Sequence, residues 1–142
     1  MMAGCRVGVV GVGKMGEYHV GVLSEMLETE LVGIVDNNQE RAKIISERYK
    51  VSHYSDYKDL IPKVDAVIIA VPTSLHYPIG KECLEAGIHT LLEKPCTDDL
   101  DQARELFELA AKKNLTLHIG HVERFNGAVQ ELFKIVKDPI YI

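Results

Sequence analysis

The feature that most constrains this chain is a glycine-spaced turn, Gly11-Val12-Gly13-Lys14-Met15-Gly16, set between an apolar run and a helical pattern. Cys5–Val10 reads as a buried strand, and from Lys14 onward apolar residues return three and four apart, as one face of a helix requires. A chain that leaves a strand, turns at once and starts a helix against that strand has few backbones open to it. In such a turn the first glycine permits the tight bend, the second lets backbone approach a bound group, and the third lets helix and strand touch. Amides at the helix start then face outward toward an anion. The glycine spacing alone is a weak signal; the strand before it and the helix after it make it specific.

A second buried run, Leu31–Val35, ends at Asp36, about 20 residues past the last glycine, which is the spacing of an acid that grips a ribose. Such a carboxylate accepts from the ribose hydroxyls and repels a 2′-phosphate, so NAD is favoured over NADP. Arg41 lies close enough in sequence to accommodate that phosphate instead. Two other readings of these residues stay open: a surface aspartate capping a helix that begins at Gln39, and an S-adenosylmethionine site, which also uses a glycine turn and an acid.

The pattern continues along the chain. Strands are expected at Ala66–Val71, His89–Leu92 and Leu115–Gly120, with a weaker one at Ser52–Tyr54. Helices are expected at Lys14–Leu27, Gln39–Tyr49, Leu75–Glu85, Asp99–Lys112 and Glu123–Val136. Ser74 and the stretch Thr97-Asp98-Asp99 are candidate helix starts, and Gly87 and Asn114 candidate stops. Alternation of this kind predicts an α/β fold: a Rossmann-type, doubly wound parallel sheet in three αβα layers. At 142 residues, 46% hydrophobic and 26% charged, the chain suits one packed domain. That domain is expected to span residues 1–138. Asp138-Pro139 closes the last helix, and Ile140-Tyr141-Ile142 reads as the first strand of a second domain that is absent.

Composition narrows the class further. A formal net charge of −5 without a basic block removes the electrostatic basis for nucleic-acid binding. No apolar run approaches the roughly 20 residues of a membrane span, and no secretory leader is evident. Three scattered cysteines suit a reducing compartment and supply neither a disulfide framework nor a zinc site. The expected location is cytoplasmic, with no metal bound.

In open parallel sheets, ligands lie beyond the carboxyl ends of the strands. Residues at those ends are Asp36, then Pro72, Thr73, Ser74 and His76, then Glu93 and Lys94, then His121, Glu123 and Arg124. A lysine leaving a buried strand is partly desolvated and can move protons; on spacing alone, a snorkelling lysine before Pro95 is an equal alternative. His76 is expected in a first helical turn facing this rim. His19 and His89 read as packed, His53 as surface, Cys96 as a small buried side chain, and Phe107, Leu109 and Phe133 as core.

Taken together, Gly11-Val12-Gly13-Lys14-Met15-Gly16, Ala70-Val71-Pro72-Thr73-Ser74-Leu75-His76 and Glu93-Lys94-Pro95 resemble the glucose-fructose oxidoreductase, inositol dehydrogenase and rhizopine-catabolism (Gfo/Idh/MocA) oxidoreductases. The resemblance covers essentially the whole chain. Gly120-His121-Val122-Glu123-Arg124-Phe125-Asn126 further resembles the branch that oxidises the 3-hydroxyl of UDP-N-acetylhexosamines and their uronic acids, with Gly127 where that branch often has proline. The resemblance implies an NAD-dependent sugar dehydrogenase in which hydride passes from a sugar carbon to NAD. Lys94 would be the catalytic residue, contacting the reacting hydroxyl, and the Lys94-Pro95 bond would be cis. The implied cofactor contacts are Gly11, Gly13, Lys14, Met15, Gly16, Asp36, Asn37, Val71, Thr73, His76, Glu93, Lys94 and Arg124. The implied partners are a sugar or nucleotide-sugar substrate and further copies of the chain. Family members carry a second α/β domain, so this length alone is expected to bind cofactor without turnover. A free-standing NAD-binding sensor or partner subunit is the rival reading.

Overall fold

A computed structural model describes residues 4–137. The expectations placed on Asp138-Pro139 and on Ile140-Tyr141-Ile142 lie outside the described residues. Within them, six strands form: β1 Cys5–Val10, β2 Thr29–Val35, β3 Ser52–Tyr54, β4 Ala66–Ile69, β5 His89–Leu92 and β6 Leu117–Ile119. All pairings are parallel, in the order β3-β2-β1-β4-β5-β6. Five helices connect or follow them: α1 Lys14–Glu25, α2 Gln39–Tyr49, α3 His76–Glu85, α4 Leu100–Lys112 and α5 Gly127–Ile135. The result is a Rossmann-type α/β fold.

Strands buried on both faces need apolar residues at successive positions, and alternation then assigns each to one layer. Val7 and Val9 of β1, Ile34 of β2 and Ile68 of β4 pack with Val20 and Leu23 of α1 and Ile45 of α2. Val10, Val35, Val67 and Ile69 face the other way, onto Ile79, Cys83 and Leu84 of α3 and Leu106 and Ala110 of α4. Leu60, fully buried, is seated over two strand glycines: a Cβ on Gly8 would lie 2.6 Å from its side chain and one on Gly33 3.0 Å from it.

Several local expectations are corrected. β4 stops at Ile69 rather than Val71, because the chain turns at Pro72 into a single 3₁₀ turn, Thr73–Leu75. Ser74 lies within that turn and caps nothing; α3 starts at His76 without a side-chain cap. Asp99 does cap α4, accepting from the Gln102 amide at 2.9 Å. Gly87 and Asn114 take left-handed backbone, and so does Lys50 after α2, a stop that its residue type does not announce. The last helix begins at Gly127, not Glu123, because the Asn126 side chain caps it by accepting from the Ala128 amide, and Val122–Phe125 forms a separate turn. Phe107 is 47% and Phe133 76% exposed, so neither is core among the described residues. α4 turns Leu106 and Ala110 inward instead, and α5 has no buried residue. No helix among the described residues is long and apolar enough to cross a membrane.

The tightest approach is at the glycine turn. A Cβ on Gly16 would lie 1.8 Å from the Gly11 carbonyl oxygen, and Gly11 itself has φ +87° and a Cβ there would lie 2.4 Å from the Ala70 carbonyl oxygen. Gly13 has nothing within 4 Å of where its Cβ would be. Gly16→Ala is therefore expected to lower unfolding free energy by about 3 kcal/mol in urea titration, because backbone must move. Gly13→Ala should lower it by no more than about 1 kcal/mol. Equal losses in the two variants would refute this account of the turn.

Candidate active site at the glycine turn

The sheet order reverses direction between β1 and β4: from β1 the chain runs outward to β2 and β3, then returns to β4, β5 and β6 on the other side. Connections leave a crevice at such a point, beyond the strand ends. Two hollows occupy it, and Gly13, Ala70 and Val71 line both.

The larger hollow, about 760 Å³, is bounded by Gly11, Gly13, Asp36, Asn37 and Arg41 on one side. Its opposite wall includes Tyr57, Pro72, Leu75, Pro78 and Ile79. Asp36, at the end of β2, is only 4% exposed. Oδ2 accepts from the Val12 amide at 2.8 Å and from Arg41 Nε at 3.2 Å; Oδ1 accepts from the Asn38 amide at 2.8 Å and from Arg41 Nη2 at 2.7 Å. Burial disfavours the charged carboxylate, but the Arg41 guanidinium and the two amides outweigh it and hold the pKa of Asp36 below its ordinary value. Arg41, the other partner of this pair, remains 44% exposed.

The smaller hollow, about 330 Å³, is lined by Gly13, Lys14, Met15, Ala70, Val71, Glu93 and Lys94. Lys94 is exposed at its lip. Lying two residues past the end of β5 and exposed, it lacks the desolvation expected for it; the Lys94-Pro95 peptide is cis. Glu93 is 6% exposed; its Oε1 lies 2.7 Å from His19 Nε2 and its Oε2 accepts from the Lys94 amide at 3.2 Å.

Between the hollows the turn presents an anion seat. Gly13 stands at the N-terminal end of α1 without a side chain to cap its first amides. The open space over Gly13 is where a diphosphate would approach those amides. The residues present therefore fit a dinucleotide: a ribose acid at one end, uncapped amides in the middle, a second hollow beyond. Among the described residues no group of three or more histidine, cysteine or acidic residues could hold a metal.

The structure thus brings together Gly11, Gly13, Lys14, Met15, Asp36, Asn37, Val71, Glu93 and Lys94, with Gly16 buried beneath the turn. Three other expected residues, Thr73, His76 and Arg124, line neither hollow. Arg124 is exposed in the turn before α5. His76 is 1% exposed rather than facing the rim. Its Nδ1 lies 2.8 Å from the Pro95 carbonyl and its Nε2 2.9 Å from the Val71 carbonyl, so both nitrogens are engaged with backbone. It ties the loop after β4 to the loop after β5, beneath the crevice. Sequence reasoning missed Ser55, Asp56 and Tyr57, which line the larger hollow after β3. The strand-end rule reaches them once β3 is accepted as a strand. Leu75, Pro78 and Ile79 carry no signal that separates a cavity wall from a core stripe.

The comparisons agree with this geometry. Residues 5–121 match the model of the oxidoreductase family with an NAD-binding Rossmann fold, GFO_IDH_MocA. Among curated relatives, UDP-N-acetylglucosamine 3-dehydrogenase of Acidithiobacillus ferrooxidans is 36% identical over 127 residues, covering 89% of this chain and 40% of that protein. Inositol 2-dehydrogenase of Corynebacterium glutamicum is 32% identical over 142 residues, covering 96% and 42%. A solved structure of the Acidithiobacillus enzyme superposes with a TM-score of 0.87 at 35% identity, covering 94% of this chain and 44% of that one. The chain spans about two fifths of the length of these curated relatives. With the family model matched from β1 to just beyond β6 and the crevice built at the strand-order reversal, this chain belongs to the GFO_IDH_MocA oxidoreductases.

Proposed function

We propose that this chain is the NAD-binding part of a dehydrogenase that oxidises a sugar hydroxyl, the 3-hydroxyl of a UDP-N-acetylhexosamine or its uronic acid. The observation that carries the reading is the pair of hollows meeting at Gly13, one ending in a buried carboxylate and the other at an exposed lysine. The nucleotide-sugar assignment draws on the Gly120–Asn126 stretch and on the substrate in the name of the Acidithiobacillus relative.

In this proposal Asp36 holds the adenosine ribose, and the first amides of α1 hold the diphosphate. The four donors already on Asp36 leave little acceptor capacity for two ribose hydroxyls. Arg41, the exposed partner, therefore swings aside when the nucleotide enters, while the Val12 and Asn38 amides keep the carboxylate in place. Bound NAD supplies the hydride acceptor. Lys94 contacts the reacting hydroxyl and takes part in moving its proton, and the wall of Met15 and Val71 limits water beneath the reacting carbon. Substrate positioning supplies a large share of an enzymatic rate. The remainder of the protein, expected from the resemblance to be a second α/β domain, provides it.

Calorimetric titration of the chain with NAD, NADP and S-adenosylmethionine tests the cofactor. NAD is expected to bind most tightly, with Asp36→Ala weakening it at least about tenfold. Arg41→Ala should leave NAD affinity within about threefold and abolish any residual NADP binding; a preference for NADP or S-adenosylmethionine would sink the assignment. The pH dependence follows from the lowered pKa of Asp36. Its stabilising contribution is fully present above the unfolded value, about 3.9, and is lost as pH falls through the lower folded value. The stability gap between the wild type and Asp36→Asn, read from urea midpoints, should therefore shrink only below about pH 4. In a version of the protein that carries a substrate domain, Lys94→Ala is expected to reduce kcat by at least about a hundredfold with NAD affinity nearly unchanged. Unaltered turnover would remove Lys94 from the chemistry.

A further inference from the structure

Glu93 is the carboxylate that the proposed chemistry does not use, yet it is among the most constrained side chains in the crevice. It sits at the end of β5, 6% exposed, facing Gly120 at the end of β6. A Cβ on Gly120 would lie 2.9 Å from Glu93 Oε1, 3.0 Å from Cδ and 3.1 Å from Oε2, so the missing side chain is what makes room for the carboxylate. His19, from α1, fixes Oε1 at 2.7 Å, and the Lys94 amide binds Oε2 at 3.2 Å. Because a carboxylate only accepts, His19 Nε2 donates. These two donors leave part of the acceptor capacity of Glu93 free, and the residue lines the smaller hollow.

The charges around it are unequal in effect. Lys14 of α1 and Lys94 line the same hollow, but both are exposed, where solvent and salt screen them. Ala70 and Val71 after β4 and Gly120 after β6 bring no charge. Among the described residues, Glu93 is the one carboxylate lining this hollow, and its burial keeps its field from being screened.

With the ribose acid in the larger hollow and the diphosphate at Gly13, the smaller hollow would hold the other end of a nicotinamide dinucleotide. That ring is a cation when oxidised and neutral when reduced. We infer that the Glu93 carboxylate, fixed by His19 and seated on Gly120, sets the redox-state preference of the site by favouring the cationic ring over the neutral one. The inference rests on the cofactor reading above. It makes Glu93 an electrostatic residue of the site, in addition to tying α1 to β5.

A purely structural pair would act on both cofactor forms alike, and that separates the two roles. The measurement is Kd of the 142-residue chain for NAD⁺ by calorimetry and for NADH by its fluorescence, at neutral pH and low salt. Glu93→Gln keeps the shape and removes the charge; the ratio of NAD⁺ to NADH affinity is expected to shift about tenfold toward NADH. Glu93→Asp, which retains the charge, should hold the wild-type preference within about threefold. If Gln at position 93 does not fold against His19, the double variant His19→Asn/Glu93→Gln puts two amides in place of the pair and is expected to shift the ratio in the same way. Affinities for both forms that fall together, or a ratio unmoved by either charge-free variant, would overturn the role of Glu93 while leaving the cofactor reading intact. Wild-type chain that binds neither form would overturn that reading, and this inference with it.

Discussion

The crevice exists because one helix is allowed to start almost in contact with the strand before it. With hydrogen as the side chain of Gly16, the first turn of α1 comes down on the Gly11 carbonyl, and the left-handed Gly11 leaves no room for a side chain against the Ala70 carbonyl just after β4. A side chain at Gly16 would push α1 off the Gly11 carbonyl, and one at Gly11 would collide with the Ala70 carbonyl. The consequences reach well beyond the turn. The amides at the start of α1 are brought over the point where the strand order reverses, so the two hollows meet at one glycine. The same placement carries His19, one and a half turns along α1, to the end of β5, where it meets Glu93. The anion seat and the far hollow therefore share a single geometric cause.

Much of this was legible in the sequence because the constraints were local. A buried parallel strand such as β1 or β4 writes itself as an apolar run rich in Val and Ile, and all six strands were found, with β1, β3 and β5 at their full extent. The turn was legible because glycine is the residue that permits it, and Asp36 because β2 fixes its position. What failed to show depends on where the chain goes next. Val71 looked like strand because it is apolar, yet Pro72 had already turned the chain. Lys94 looked desolvated because it follows a buried run, yet β5 has ended at Leu92 and the side chain is exposed. His76 had the spacing of a rim residue, and only the two carbonyls of Val71 and Pro95, supplied by separate loops, reveal that it is a tie beneath the rim. Phe133 shows the same limit from outside: an apolar helical stripe in sequence does not say whether another element covers it, and here no described element does.

The two buried acids at the crevice are built on one plan with different outcomes. Each stands at the carboxyl end of a strand, accepts from backbone N–H (two amides for Asp36, one for Glu93), and is met by a basic side chain from a helix: Arg41 of α2 for Asp36, His19 of α1 for Glu93. The difference lies in the partner's freedom. Arg41 is a long side chain, 44% exposed, and solvent compensates it when it leaves. His19 is 18% exposed and short, on the helix whose position the glycine contact already fixes. Removing it would strand a buried carboxylate, and such a loss is strongly unfavourable. The acid facing the larger hollow can therefore exchange its protein partner for a ligand, whereas the acid facing the smaller one keeps its partner and acts through its field. In the proposed site a single sheet edge thus offers one carboxylate that binds by contact and one that acts at a distance, and the distinction follows from which helix supplies the counter-group.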